Sequence, residues 1–556
     1  MDDSTECASL PKLSGGLAAA ALLGACGGGG SDSGGNTGGN TGGGTGGGTA
    51  PVPPTPVETV SATQASRFLA QASMGATREQ IARVQAIGYS KWLDEQMALP
   101  PSQTRWDWLV AKGFNALEHK NSQAGIDAAV WRKLLASPDT LRQRVTLALS
   151  EIVVASLDGF TGAWRAFTGA AYMDILEANA FGNYRTLLQQ VTLSPSMGEY
   201  LTYRGNAKAN PKTGSMPDEN YAREILQLFT IGLLKLNPDG TATEQETYTQ
   251  ADISGLARVF TGWDYDMAGA SNDTPDYRKR AMIQVGSKYE TGDKTFLGTT
   301  IGSGTDATTA LGKALDTIFA HPNVAPFISR QLIQRLVTGN PAPAYVARVA
   351  AVFNDNGSGV KGDLKAVVKA ILLDQEARSA ASLASSSFGK VREPILRFAA
   401  WARAFNASSA SDAWAIGNTS DPSTRLGQSP LRSASVFNFF RPGYVPPALG
   451  VVAPEFQIVN ESSVVGYANY MQAAISKGVG DVKADYSTLL PLADNVPALL
   501  DEINLVLAAG QLSTDTVTLI RNAINSMPTG TDAARANRVY AALTLVMASP
   551  EFIVQK

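Results

Sequence analysis

Leu141-Arg142-Gln143-Arg144-Val145-Thr146-Leu147-Ala148-Leu149-Ser150-Glu151-Ile152-Val153-Val154 is the stretch that decides the fold. Val145, Leu147, Ala148, Leu149 and Ile152 fall on several faces at helical spacing, and the run is too long for an ordinary strand. It reads as a long helix buried on all sides, which requires other helices around it. The same periodicity extends outward in both directions. Thr77-x-x-Gln80 is a capping box, followed by Ile81, Val84 and Ile87, with Gly88 as the stop. Downstream, Ala170 to Asn179 and Arg185 to Val191 continue the pattern. Thr249-x-x-Asp252 caps a helix carrying Ile253, Leu256, Ala257 and Phe260 on one face. Further helical patterns cover 307–319, 325–337, 343–354, 363–373, 390–405, 457–476, 496–509, 514–526 and 531–547.

Strand signals are sparse and concentrate between Met282 and Leu297, where alternating residues flank a turn region. Loops rich in Gly, Pro and Ser span 204–216, 264–280, 298–306, 406–430 and 441–456. No repeat of solenoid period occurs. Residues 61–556 therefore read as an all-α, large multi-helix globular domain, with at most a small β-hairpin near 282–300. A division of this body into two lobes would fall at 270–305.

Composition removes several kinds of chemistry. Hydrophobic residues make up 44% and charged residues 17%, a globular balance, and the net charge of −3 favours neither nucleic acid nor anionic lipid. The two cysteines are Cys7 and Cys26, so the body holds no thiol for a disulfide, a zinc-thiolate site or a nucleophile. The two histidines, His119 and His321, exclude a metal site built from several imidazoles. No cofactor signature is present. Asp264, Asp266, Asp273 and Asp276 offer oxygen ligands to Ca²⁺, but they read as solvated loop acids. Ser387-x-x-Lys390 and Lys212-Thr213-Gly214 come in the wrong order and context for a penicillin-recognising enzyme.

The amino-terminal region speaks of place. Gly15 to Ala25 is apolar but about half the length a membrane span needs. It has the size of an export signal's core, and Leu23-Gly24-Ala25-Cys26 resembles a bacterial lipobox. The flanking acids Asp2, Asp3 and Glu6 depart from the positively charged start such signals carry. Residues 1–25 thus read as a lipoprotein-type signal and Cys26 as the lipidated residue. The Gly/Thr-rich tract and Pro51-Val52-Pro53-Pro54-Thr55-Pro56 form a tether over 26–60, with a reach of about 30 Å. Gly27 after the cysteine resembles lipoproteins routed to the outer membrane. The expected partner is a membrane, reached through the lipid.

One helix concentrates polar chemistry. Pro217 suits a first helical turn, Asp218 and Glu219 lie at the positive end of the dipole, and Gly232 supplies the stop. Tyr221, Ile225, Leu228 and Phe229 share one face, and Asn220, Arg223, Glu224 and Gln227 the other. Glu219 can pair with Arg223, and Asn220 with Glu224. Asp218, Glu219, Asn220, Arg223 and Glu224 are the candidate cluster. A solvated polar face explains them as well as a pocket does. His321, opening His321-Pro322-Asn323-Val324-Ala325-Pro326-Phe327, is an outside candidate, with a capping or core role as its plainer explanation.

Several of these segments together resemble one bacterial family, domain of unknown function 1800. They are Ser66-Arg67-Phe68-Leu69-Ala70-Gln71-Ala72-Ser73-Met74-Gly75-Ala76-Thr77, Ala180-Phe181-Gly182-Asn183-Tyr184-Arg185-Thr186-Leu187-Leu188 and, most specifically, Pro217 to Gly232. Tyr248 to Ile253, Phe260-Thr261-Gly262-Trp263, His321-Pro322 and Asn438-Phe439-Phe440-Arg441-Pro442-Gly443-Tyr444 follow. The resemblance covers nearly all of 61–556. It implies a secreted or surface helical protein and brings no activity. It adds Arg441 as a second outside candidate. It also suggests a partner, an exported phosphatase- and sulfatase-like family, domain of unknown function 1501. Many relatives carry His where this chain has Phe229, so any role of that imidazole is missing here. The expected function is a non-catalytic surface binding or scaffold protein. The alternative is a carboxylate-dependent hydrolase acting on an extracellular substrate.

Overall fold

The computed structural model describes residues 59–447 and 449–556. The signal at 1–25, Cys26 and the tether up to residue 58 lie outside the described residues.

The decisive stretch forms the helix Thr140–Ser150, in which every residue from Thr140 to Leu149 is buried. It touches Ala62–Ala72, Arg78–Ala98, Ile126–Ala136, Arg165–Ala178 and Val324–Leu336, and so stands at the centre of the bundle. Burying Leu141, Val145, Leu147 and Leu149 contributes about 1.5–3 kcal/mol each. The helix ends four residues before the sequence pattern does. The Glu151 N–H is shared between the carbonyls of Leu147 and Ala148, and both Ile152 and Val153 bond back to Leu149. Residues 151–154 therefore leave the helix yet remain buried.

Other elements form where the periodicity predicts them. Gly88, at φ 79°, breaks Arg78–Ala98 into two pieces. Thr77 caps the first piece by accepting the Gln80 N–H, but the Gln80 side chain accepts a bond from the Trp92 indole instead of closing the box. Thr249 and Asp252 do form a full capping box. The carboxy-terminal helices return to the start of the domain: Val496–Ala508 packs on Ala62–Ala72, and Asp532–Ala548 lies against Glu461–Lys477. The last strand, Val554–Gln555, pairs antiparallel with Lys390–Val391 and fixes Lys390 in the interior.

The structure is mostly helical, with minor strand pairs. Lys294–Phe296 and Thr299–Ile301 make the expected hairpin, and Ile283–Gln284 pairs with Trp263–Asp264. A second hairpin joins Leu234–Leu236 to Ala242–Glu246. Its turn is Asn237-Pro238-Asp239-Gly240, and Gly240 there adopts φ +77°. The described residues pack as one unit, so no boundary between lobes falls at 270–305. Tyr277 and Arg278 are buried, and their short 3-10 turn sits on Arg165–Ala178. No helix among the described residues is long and apolar enough to cross a membrane.

Candidate functional site

The central polar helix is shorter than its sequence pattern, running from Asn220 to Gln227. Pro217 stays outside it because Asn206 accepts the Asp218 N–H, while Asp218 itself accepts the Asn220 N–H. At the other end Ile231 and Gly232 both donate to the Leu226 carbonyl, and Gly232 takes φ +71°.

At the amino-terminal turn the candidate cluster is a set of local contacts. Asp218 accepts from the Thr202 hydroxyl at 2.7 Å, and the Asn220 amide donates to the same hydroxyl at 3.4 Å. Glu219 accepts from Gln250 at 2.6 Å and from Ser254 at 2.5 Å. The expected Glu219–Arg223 pair forms at 3.5 Å, with the two side chains 32% and 41% exposed. Glu224 is buried instead, and its Oε2 has no hydrogen-bond partner. Burial raises its pKa, and Arg223 opposes that shift. None of these five residues is among those lining the cleft at the other end of the helix.

The other end of the same helix does reach a cavity. Gln227, Leu228 and Gly232 border a cleft of about 570 Å³. Its second wall is the helix Val324–Leu336, which presents Phe327, Gln331 and Arg335 at four-residue spacing. Val436, Phe437 and the Arg441–Val445 segment close a third side. Gly232 is required here, since a Cβ would stand 2.7 Å from the Phe327 ring. Arg441 is exposed at the rim, its guanidinium 5.0 Å from the Phe437 ring centre and its N–H on Gln457 at 2.8 Å. His321 lies behind the wall. Its Nδ1 accepts the Asn323 N–H at 3.1 Å, and Asn323 in turn bonds Ile231, Leu234 and Leu236. Burial, then Lys235 and Lys361, lower its pKa. His321 thus braces the hairpin edge of the cleft.

The floor carries buried charge. Glu151 and Ile152, from the end of the central helix, meet Gln331 and Arg335 there. Arg335 Nε stands 3.1 Å from Glu151 Oε2 but is not aligned for a hydrogen bond. Behind them Lys390 Nζ contacts Glu393 and Glu455, each at 3.0 Å, and donates to the Arg335 carbonyl. Gln428 donates to Glu393 at 2.9 Å, and Arg144 donates to the Arg335 carbonyl at 2.6 Å. Both Glu151 carboxyl oxygens are buried without a hydrogen-bond partner, and Glu393 is a charged neighbour. Burial, followed by the neighbouring Glu393, holds the Glu151 pKa well above the carboxylate range. Burial also opposes ionisation of Glu393, but Lys390, Arg144 and Arg335 outweigh it and hold its pKa far below that range. Of the two, Glu151 is the carboxyl that burial pushes toward its neutral form.

Residues 67–554 match a family described as a protein of unknown function, DUF1800. The chain belongs to the DUF1800 family. No curated protein and no solved structure matched it. Two of the DUF1800-like strings meet at the cleft: Pro217–Gly232 supplies Gln227, Leu228 and Gly232, and Asn438–Tyr444 supplies Arg441 to Tyr444. Tyr184 of a third string donates to the Phe229 carbonyl at 2.6 Å. Phe229 itself is buried in the core and does not line the cleft.

Glu151, Arg335, Lys390, Glu393 and Glu455 escape a sequence search for clustered acids because they come from distant segments. The available signal was a charge inside an apolar helix: Glu151 closes the Leu141–Val154 run, and Arg335 follows Phe327 and Gln331 along one face. Among the described residues no group of three His, Cys, Asp or Glu is placed to hold a metal ion. The loop acids are matched with cations: Asp264 with Arg204 at 2.9 Å, Asp273 with Lys120 at 2.9 Å, and Asp276 with Lys279 at 3.9 Å.

Proposed function

We propose that this DUF1800 protein is a binding protein, exported and held at the outer membrane by a lipid on Cys26. The cleft is its binding site. One observation carries this reading: an open cavity of about 570 Å³ with apolar walls has buried, hydrogen-bond-hungry groups converging at its floor. The tether lets the domain stand about 30 Å from the membrane. An exported phosphatase- or sulfatase-like protein of the 1501 family is the partner with which such a domain would work.

One feature favours a second reading, carboxylate-dependent hydrolysis. Glu151 brings a proton to the cleft floor, as a general acid must. Two-carboxylate hydrolysis needs both groups at the substrate, however, and Glu393 is fully buried behind Glu151. Binding is the stronger reading. Cell fractionation, partner pulldown and a screen of ester and polymer substrates test it together. The expected result is membrane-bound wild type, soluble Cys26→Ala, an exported protein that copurifies and no turnover. Turnover abolished by Glu151→Gln would establish the hydrolase instead.

A further inference from the structure

We infer that the cleft takes up a single-chain amphiphile, an aliphatic body ending in a carboxylate or phosphate, with the anionic head seated on Arg335 and Gln331. The inference rests on reading the cleft as the binding site and names what enters it. Arg335 is 1% exposed, yet its Nε and Nη1 have no hydrogen-bond acceptor; neither has Nε2 of Gln331, which is 6% exposed. Unpaired buried donors of this kind are costly, charged ones most of all. An anion reaching the floor satisfies all three.

Charge points the same way. Arg144, Arg335 and Lys390 are all buried around this floor, and the carboxylate nearest Arg335, Glu151, is not aligned to accept from it. Of these, Arg335 is the cation at the cleft. A guanidinium accepts a carboxylate or phosphate in a two-pronged geometry. The groups facing Glu151 are Glu393, Arg335, Lys390 and Arg144, so a ligand anion on Arg335 takes the place an ionised Glu151 would hold.

The rest of the cavity suits a hydrocarbon. Leu228, Leu236 and Phe327 line its walls, and the exposed Leu233, Leu234 and Val445 form its mouth. Charge at the bottom and apolar surface at the opening orient the ligand head inward.

Isothermal titration of the purified protein with dodecanoate, dodecyl phosphate, dodecanol and acetate, all below micelle formation, tests the inference. Dodecanoate or dodecyl phosphate should bind at one site at least tenfold more tightly than dodecanol or acetate. The tighter of the two anions identifies the head group. Arg335→Lys should weaken that binding at least tenfold. Leu234→Glu, an exposed change that leaves the core intact, should weaken it several-fold through repulsion, while Leu234→Lys should not. Equal binding of dodecanol overturns the anionic head and leaves the cleft a binding site. Binding by none of the four overturns the inference, and the pulldown and turnover screen then judge the broader reading separately.

Discussion

Arg223 and Glu393 both sit in carboxylate–guanidinium or carboxylate–ammonium pairs, and their surroundings give those pairs opposite weight. The Glu219–Arg223 pair is partly exposed at 3.5 Å, so solvent screens it and Arg223→Ala should cost under about 1 kcal/mol. Glu393 is fully buried against Lys390, and Glu393→Gln should cost about 3–5 kcal/mol by leaving the ammonium unbalanced. Urea denaturation of both variants measures the contrast; equal losses would contradict it. Glu151 adds a pH dependence. Its pKa is raised in the folded state, so its contribution is fully present below the unfolded carboxylate pKa and is lost as pH rises through the folded value. Glu393 is shifted the other way and loses its contribution only below the ordinary range. Between those limits the melting temperature should fall more steeply with rising pH in the wild type than in Glu151→Gln. Arg441 was legible as a candidate through the family resemblance of the Asn438–Tyr444 string. Glu151 and Arg335 were not, since a charge within a mostly apolar run reveals neither its depth nor its partner.

Elements were more legible than sites, because helix periodicity is local whereas a cleft is assembled across the chain. The patterns at 307–319, 325–337, 496–509 and 531–547 became Ala307–Ala320, Val324–Leu336, Val496–Ala508 and Asp532–Ala548. The exceptions have tertiary causes. Pro217 was withheld from its helix by the hydrogen bond to Asn206, and the 234–246 hairpin hid in a segment whose strands are mostly exposed. Helix Gln250–Ala257 illustrates what periodicity omits. Its Gly255 lies on strand Lys294–Phe296 so closely that a Cβ would stand 1.7 Å from the Thr295 carbonyl oxygen. That obstacle is backbone and cannot swing aside. Gly255→Ala should therefore destabilise the protein by about 1–3 kcal/mol in thermal unfolding, with no effect on the cleft. An unchanged melting temperature would mean that helix and strand are not held at this distance.

Across the whole molecule, one helical unit gathers distant segments around the buried end of Thr140–Ser150. That convergence gives the cleft a rigid floor: Glu151 comes from the central helix, Arg335 from Val324–Leu336, and Lys390 from the strand paired with the carboxyl terminus. The helical class was readable from the Leu141–Val154 run, but its packing partners were not, because a helix buried on every side specifies no single neighbour. The central claim is that Arg335 holds an anion in the cleft when Glu151 is neutral. The most direct test is dodecanoate affinity as a function of pH, from about 6 upward, where the free ligand's carboxylate is already ionised. The wild type should lose affinity as Glu151 ionises and competes for Arg335, while Glu151→Gln should hold constant affinity across the same range. Identical pH profiles in the two proteins would contradict the account.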